Sequence, residues 1–352
     1  GLMCLRDIVM NFHHTRVPTA GGGQLAVQLA HKKEHVGKEL MSFALHHYRR
    51  RRTPLVLLYP FRPDFYRRMG FGYGTKMNQY RITPSSLPRG TSKAHIRLLG
   101  AQDREALTEC YNRFMDRTHG IMAKTETEVK RLFERPGQQI AAYVDGGRII
   151  GYLVFSFEYG ETWLSNDINL GEFVYETPEV LSELLTFLYS QADQVRRIIV
   201  NTQDELFHHL LIDPVSSPGA LIPDVYHETN IQGLGIMYRV IDVPAIFERL
   251  GGRDFGAQSC ALKLTVSDSF LPENSSSTLL RFKSGHLQGT HDGPYDAKVS
   301  LNIADFSSLL VGTVDFRTLI KYGLAKISDS TWVDVVHRLF AVDEKPICTT
   351  PF

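Results

Sequence analysis

The sequence predicts an α/β fold, because its first two blocks each alternate strand-like and helical segments. In the first block, the runs LRDIVMNF and QLAVQL have the character of strands and precede HKKEHVGKELMSFALHHYRRRR. That segment is predicted to be a helix, since its apolar positions recur at spacings of three and four: Val36, Leu40, Phe43, Ala44 and His47. PLVLLY at 54–59 is a short apolar run typical of a buried strand.

The rest of the first block continues this order. DFYRRMGFGY at 64–73 is interpreted as a short helix that runs into a strand through 77–80. HHTRVPTAGGG at 13–23 is interpreted as a turn-rich connection that ends in the glycines entering the next strand. The arginines at 49–52 are expected at a helix C-terminus, where cations suit the dipole.

The middle block repeats the pattern and the third block departs from it. In the middle block, a strand and two helices precede a hairpin that turns at Asp145, Gly146 and Gly147, and a strand–helix–strand unit follows. The third block has a strand and a helix, three more strands, and helices beginning near Asp305, Asp315 and Ser330. Turn-rich joints at 83–93 and about 213–235 indicate three domains: 1–90, 91–232 and 233–352.

Composition limits the classes of function. The 39 basic and 38 acidic residues leave a net charge of +1, which gives no electrostatic case for nucleic acid. The cysteines, at 4, 110, 260 and 348, lack the spacing of a disulfide framework or zinc site, so we expect no metal and a reducing cytoplasm. No apolar run approaches the roughly 18 residues of a membrane span. The chain enters a strand at once without an initiator Met, which suggests that Gly1 is a cloning remnant and that upstream residues are missing.

Two stretches carry candidate chemistry, and each has a structural alternative. The basic turn HKKEHVGKEL opens a helix, whose free N–H groups favour phosphate; Lys32, Lys33 and Lys38 add charge, and Gly37 permits close approach. The alternative is a solvated turn before an amphipathic helix. In DFYRRMGFGY, Tyr66 either packs the helix or offers its hydroxyl to a reaction. The two stretches together, separated by a strand, are more specific than either one alone.

The order of strand, basic turn with glycine, helix, strand and FYxxxGF resembles the Gcn5-related N-acetyltransferases (GNAT). LVLLYPFRPDFYRRMGFGYG resembles in particular their Eis (enhanced intracellular survival) branch. This resemblance, which extends over essentially the whole chain, implies tandem GNAT-like domains followed by a sterol-carrier-protein-like α+β domain. It also implies acetyl-CoA as cosubstrate and a homo-oligomer, either a trimer or a hexamer.

The resemblance further implies roles for individual residues. Tyr66 matches the general acid that protonates the departing CoA thiolate, and the α-carboxylate of Phe352 matches the general base. Leu25, Ala26 and Val27 match the family's strand that binds the pantetheine arm. The family's pyrophosphate-binding turn is matched by Lys33, Glu34, His35, Val36, Gly37 and Lys38. Phe61 and Arg62 match the loop beside the thioester.

This sequence departs from the family pattern in two places. Lysines and His35 replace arginines in the turn, and the family's opening strand and helices precede anything present here. The middle block has no equivalent basic turn; Glu172, Glu176 and Glu179 stand there and would repel a pyrophosphate, so we expect a structural copy without cofactor. The third block is expected to serve as a scaffold for the extended C-terminal tail, EKPICTTPF at 344–352, with a lipid pocket as the other possibility.

Two functions follow as expectations. The first is an acetyl-CoA-dependent N-acetyltransferase that transfers acetyl directly to a primary amine of a cationic small molecule, such as an aminoglycoside or another polyamine-like acceptor. The second is a non-catalytic protein that binds an apolar ligand in its sterol-carrier-like domain. Thiol release from acetyl-CoA in the presence of amines distinguishes them.

Overall fold

The structure is a computed structural model that describes residues 1–160, 165–216, 219, 221–223, 225–289 and 293–350. Its strands are β1 (Leu2–Phe12), β2 (Thr15–Ala26), β3 (Leu55–Leu58), β4 (Gly72–Tyr73), β5 (Met77–Ile82), β6 (Ile96–Leu98), β7 (Gln138–Asp145), β8 (Arg148–Glu158), β9 (Asn166–Tyr175), β10 (Val195–Thr202), β11 (Leu221–Ile222), β12 (Tyr226–His227), β13 (Ile231–Gly233), β14 (Met237–Val240), β15 (Cys260–Ser267), β16 (Ser276–Lys283), β17 (His286–Gly289), β18 (Ala297–Asn302) and β19 (Ala325–Ile327). Its α-helices are α1 (Val36–Arg50), α2 (Pro63–Arg68), α3 (Arg104–Arg117), α4 (Glu126–Glu134), α5 (Pro178–Tyr189), α6 (Val243–Arg249), α7 (Ile303–Leu310), α8 (Phe316–Lys321) and α9 (Val333–Phe340). The predicted α/β class is confirmed.

The chain divides into two compact units. The first contains Gly1–Thr75, Thr118–Met122 and Leu234–Phe352, and the second contains Lys76–Arg117 and Ala123–Gly233. None of the helices in the described residues combines the length and hydropathy that a membrane span requires.

The first unit holds two five-stranded sheets. One has the order β1-β2-β3-β14-β4 and the other β17-β16-β15-β18-β19. Strand β14, which the sequence places in the third block, is antiparallel to β3, with Met237 opposite Leu58 and Val240 opposite Leu55. The first and third blocks therefore share one sheet.

Three polar contacts join the first block to α7 and the residues that follow it. The Tyr73 carbonyl accepts hydrogen bonds from the hydroxyls of Ser308 (2.9 Å) and Thr313 (2.7 Å). Arg67 of α2 pairs with the buried carboxylate of Asp305 in α7. These polar contacts supplement a continuous apolar core that includes side chains of both sheets.

The hairpin formed by β1 and β2 differs from the prediction for 13–23. Strand β2 begins at Thr15, and the turn consists of His13 and His14, both in the left-handed region at φ 47° and 64°. A two-residue turn of this kind normally uses Asn-Gly or Asp-Gly, so its sequence signal was absent here. The three glycines lie within β2, where Gly21 and Gly22 pair with β1 and β3, and they are not a turn.

The second unit is built on a seven-stranded sheet of order β13-β5-β10-β9-β8-β7-β6. Its central pair, β9 and β10, is parallel and is connected through α5. The predicted hairpin between β7 and β8 is confirmed, with Gly146 and Gly147 at positive φ. The predicted strand at 77–80 is confirmed as part of β5, and it pairs with β10 in this sheet.

Candidate functional site

Strand β2 has an unpaired backbone edge at its C-terminal end. Its parallel pairing with β3 covers Thr19 to Gly22, whereas the strand continues to Ala26. Near the end, its pairing with β1 is interrupted by a bulge, and Gln24 adopts φ 51°. Among the described residues, the side of 23–26 turned away from β1 has no strand partner, so Leu25, Ala26 and Val27 follow an edge on which an extended ligand can form backbone hydrogen bonds.

Within the part of the chain that the structure describes, no side chain caps the N-terminus of α1. Its N-cap residue, His35, is left-handed at φ 63°, and Lys33 is left-handed at φ 70°. Backbones that alternate in this way turn successive N–H groups toward one concave surface that suits an anion. Lys33 and Lys38 are exposed, while Glu34 forms an exposed ion pair with His31 at 2.9 Å. The turn thus presents backbone donors and exposed lysines, and the nearer of its two acidic side chains, Glu34, is paired with His31.

Gly37 brings the predicted parts of the site together. A Cβ at Gly37 would lie 3.8 Å from Leu25, 3.8 Å from Val27 and 3.7 Å from Phe65. The end of β2, the first turn of α1 and the helix α2 are therefore in van der Waals range of one point. Val36, in the same turn, is half-buried.

Helix α2 holds Tyr66 in a fixed orientation. The helix ends in a Schellman motif: Gly70, at φ +84°, donates to Arg67 O (3.0 Å), and Phe71 donates to Tyr66 O (3.1 Å). The apolar contact that accompanies this motif is present, since the Tyr66 and Phe71 rings lie 5.9 Å apart, edge to face. The glycine after Met69 is thus the reason that the helix stops where it does.

Tyr66 is 3% exposed and lies among aromatic rings. Phe61 and Phe65 flank it at centroid distances of 5.7 and 5.2 Å. Burial raises the pKa of Tyr66 to about 12. Among the described residues its hydroxyl has no hydrogen-bond partner, so the phenol is protonated and its polar end is available to a ligand.

The other two predicted residues of this region lie at the entrance to α2. Phe61 is 65% exposed and borders Tyr66. Arg62 is the N-cap residue of α2, and its guanidinium forms a bidentate, exposed pair with Asp64 at 2.7 and 3.2 Å. Arg62 is therefore held at the start of the helix by a neighbour two positions away.

The C-terminal tail returns to the end of β3, immediately before α2. The Tyr59 hydroxyl donates to Thr350 O at 3.2 Å and lies 3.2 Å from Cys348 Sγ. Burial and the thiol raise the pKa of Tyr59. Phe352, the predicted base, lies outside the described residues. Tyr59 was missed in the sequence, where its only signal was its position at the end of an apolar strand.

In the second unit, strand β9 and helix α5 follow one another as β2 and α1 do in the first unit, but the residues between them are chemically different. Thr177 caps α5 by accepting from the Val180 N–H at 3.4 Å. Glu176 pairs with Arg113 at 2.7 Å, and Glu172 pairs with the buried Lys124 at 2.8 Å. The Val180 N–H at this helix start is therefore satisfied by a side chain, whereas no side chain among the described residues caps α1.

Comparison with known families gives three matches along the chain. Residues 2–74 and 114–230 match two acetyltransferase (GNAT) domain models, and residues 243–349 match a sterol carrier protein domain. Comparison with curated proteins gives no significant match.

Solved structures with the same fold cover nearly the entire chain. A GCN5-related N-acetyltransferase from Anabaena variabilis superposes with a TM-score of 0.80 at 17% identity, covering 99% of this chain and 86% of its own. Eis1 from Mycobacterium abscessus has a TM-score of 0.78 at 20% identity, with coverages of 99% and 87%. A GCN5-related N-acetyltransferase from Kribbella flavida has a TM-score of 0.79 at 19% identity, with coverages of 99% and 83%.

Proposed function

Because the chain carries two GNAT acetyltransferase domains and a C-terminal sterol carrier protein domain, we propose that it is an Eis-like enzyme that acetylates a primary amine of a cationic small molecule. The cosubstrate of GNAT domains is acetyl-CoA. The proposed acceptor is an aminoglycoside or another polyamine-like cation, and the proposed transfer is direct, from thioester to amine.

The observation that carries this proposal is the convergence at Gly37. One point lies within 3.8 Å of the open edge of β2, represented by Leu25 and Val27, and of α2 through Phe65. A cosubstrate with a pyrophosphate, an extended arm and a reactive end fits this order: uncapped helix, unpaired strand edge, then Tyr66. We assign the pyrophosphate to the backbone of 33–38 and the thioester end to the neighbourhood of Phe61 and Tyr66.

Tyr66 is proposed as the acid. A phenol with a pKa of about 12 that transfers its proton fully to a free thiolate of pKa about 8.5 does so uphill by about 5 kcal/mol. We therefore propose that Tyr66 first donates a hydrogen bond to the sulfur as charge develops there, and that the proton follows as the thiolate leaves. The neutral hydroxyl of Tyr66, which has no partner within the described part of the chain, supports this order.

The α-carboxylate of Phe352 is proposed as the base that takes the proton of the attacking amine. Thr350, held by Tyr59, is the last residue that the structure describes. Because two residues of backbone span at most about 7 Å, we propose that the terminal carboxylate acts close to the β3–α2 junction. Desolvation there strengthens an otherwise weak base.

The test uses full-length protein, acetyl-CoA and a panel comprising an aminoglycoside, a linear polyamine and a neutral amine, with thiol release as the signal. Tyr66→Phe and deletion of Phe352 should each lower kcat about 100-fold or more, which is the range of general acid–base catalysis. Tyr48→Phe is the control, since Tyr48 is buried in the same apolar cluster. Wild-type rates in both variants contradict the mechanism, and equal rates with neutral amines contradict the acceptor class.

Three further expectations belong with this proposal. The division at 1–90, 91–232 and 233–352 stays a prediction, as does a trimeric or hexameric assembly. A scaffold role for the sterol carrier protein domain is supported by the packing of its core, in which the Phe247 ring lies 6.3 Å from Phe255 and 6.1 Å from Phe306.

A further inference from the structure

The segment Thr118–Met122 contacts the C-terminal tail directly, through His119 and Gly120. This segment belongs to the first unit, although the residues on both sides of it belong to the second. It pairs with the end of β1: Gly120 N–H donates to Asn11 O, and Asn11 N–H donates to Ile121 O, both at 2.8 Å. On its other side, the His119 carbonyl accepts from the Ile347 N–H at 2.9 Å. The segment therefore lies between a strand and the tail and is bonded to both.

Gly120 leaves the space that the tail occupies. Its φ is +93°, and a Cβ there would come within 2.7 Å of both Ile347 N and Ile347 O and 2.8 Å of Pro346 Cβ. Contacts this short with backbone atoms cannot be relieved by a side-chain rotation. The tail at Ile347 runs where a side chain at position 120 would stand.

Two hydroxyl groups hold the tail on either side of Ile347. Thr75, which is 2% exposed, donates to Pro346 O at 2.8 Å. Tyr59 donates to Thr350 O at 3.2 Å. Pro346, Cys348 and Thr350 are buried in alternation, which is the pattern of an extended chain with one face packed against the protein.

The ring of His119 fixes this segment in turn. Its Nε2 lies 3.0 Å from Val311 O, and its Nδ1 accepts from the His13 N–H at 3.3 Å. The two rings stack at a centroid distance of 3.8 Å. With one ring nitrogen accepting, Nε2 is the donor, so a neutral imidazole satisfies both bonds and orients the carbonyl toward Ile347.

We infer that Tyr59, Thr75, His119 and Gly120 form a tail clamp that sets the position of the chain end in the acetyl-transfer site. The inference rests on the proposed function, in which the terminal carboxylate is the base. The clamp residues are positioning residues, because they act on the tail backbone and not on the reacting atoms. A base displaced by about 1 Å loses much of its effect. The clamp should therefore affect turnover (kcat) more strongly than it affects the binding of acetyl-CoA (KM).

The experiment compares paired variants of the full chain. Thr75→Val removes the hydroxyl with little change of shape, and Thr75→Ser keeps it. Gly120→Ala displaces the tail, and Gly323→Ala is its control, since Gly323 has φ +70° in the same unit with open space around it. Each protein is assayed for kcat, for KM of acetyl-CoA and for hydrogen exchange at the Ile347 amide.

We expect Thr75→Val and Gly120→Ala to speed exchange at Ile347 about ten-fold and to lower kcat by a similar factor, with KM for acetyl-CoA within about two-fold. Thr75→Ser and Gly323→Ala should match the wild type. Tyr59→Phe, which removes the hydroxyl that contacts Thr350 O and Cys348 Sγ, should lower kcat about five-fold. If Gly120→Ala fails to fold, the two Thr75 variants decide.

Deletion of Phe352 separates the inference from the proposed function. If the deletion abolishes turnover while Thr75→Val and Tyr59→Phe keep wild-type kcat, the clamp is wrong and the proposed base stands. If the deletion leaves turnover intact, both are overturned. A loss of kcat that Thr75→Ser shares with Thr75→Val also overturns the clamp, because the hydroxyl is then not the cause.

Discussion

The backbone of Gly70 lies directly against the guanidinium of Arg239, so that a Cβ at position 70 would come 1.6 Å from Arg239 Nη1. Arg239 is fully buried, and its Nη2 donates to both carboxylate oxygens of Asp268, at 2.8 and 3.0 Å. The glycine that ends the Tyr66 helix therefore also makes room for a buried ion pair. A substitution of Gly70 therefore disturbs both the end of α2 and the Arg239–Asp268 ion pair.

Gly70→Ala is expected to lower the free energy of unfolding by about 3 kcal/mol or more. A left-handed alanine costs about 1–2 kcal/mol, and displacement of a buried charged pair adds to that. Gly323→Ala is the matched control: Gly323 also ends a helix in a Schellman motif, at φ +70°, with nothing within 4 Å of its Cβ. Urea unfolding of the two variants measures the difference, and equal losses contradict the assigned role of Arg239.

Tyr66 should remain protonated well above the usual range of tyrosine. Because burial raises its pKa to about 12, the neutral phenol is kept through pH 10 and 11 and is lost only near pH 12. Absorbance at 295 nm, titrated in the wild type and in Tyr66→Phe, should show the same number of tyrosinates up to about pH 11. An extra tyrosinate in the wild type by pH 10.5 shows that the site does not shift this group.

His119 should make the first unit sensitive to acid. Its pKa is lowered from 6.5 to about 4, chiefly by burial, and Arg253 and His14 also oppose a charge on it. The adjacent His13 has a lowered pKa as well, from burial and from His119. Arg253, His14 and His13, which interact with His119, are all basic. Protonation of His119 therefore adds a positive charge beside groups of the same sign in a buried site.

The sign follows from proton binding. Between pH 6.5 and 4 the unfolded chain binds a proton at His119 that the folded chain does not, so stability falls as the pH is lowered through this range. For this residue the loss from pH 7.5 to pH 5 is about 2 kcal/mol. His119→Gln should reduce the loss by that amount in urea unfolding at the two pH values. An unchanged loss in the variant excludes His119 as its origin.

Position 37 should accept alanine but no larger side chain. Alanine at this position places its Cβ at 3.7–3.8 Å from Phe65, Leu25 and Val27, which is ordinary contact, whereas the γ carbons of valine would press into them. Gly37→Ala should keep KM for acetyl-CoA within about two-fold, and Gly37→Val should raise it about ten-fold, consistent with an overpacking cost of 1–3 kcal/mol. Similar KM values for the two variants place the cosubstrate elsewhere.

Local sequence patterns predicted many elements correctly. The helix at 36–50 followed from apolar spacing, the hairpin at 145–148 from its glycines, and the cap of α8 from Asp315, which accepts from Thr318 N–H at 2.9 Å. The prediction of a turn-rich connection over 13–23 was wrong, because His13 and His14 form the turn at positive φ without the residues usual for such a turn. For the site, Gly37 and Tyr66 were chosen from motifs, and the structure places the Gly37 turn beside α2 through Phe65.

By itself, the sequence determined the α/β order and the stretch around Tyr66, because these depend on contacts among residues three to five apart. Only the tertiary structure revealed that β14 completes the first sheet and that Tyr59, Thr75 and His119 hold the tail. Thr75 and Pro346 are 271 positions apart, and Tyr59 and Thr350 are 291. One hydrogen bond between residues so far apart produces no periodic pattern in the sequence. The packing of the sheet, and not the neighbouring residues in the chain, determines which group the hydroxyl meets.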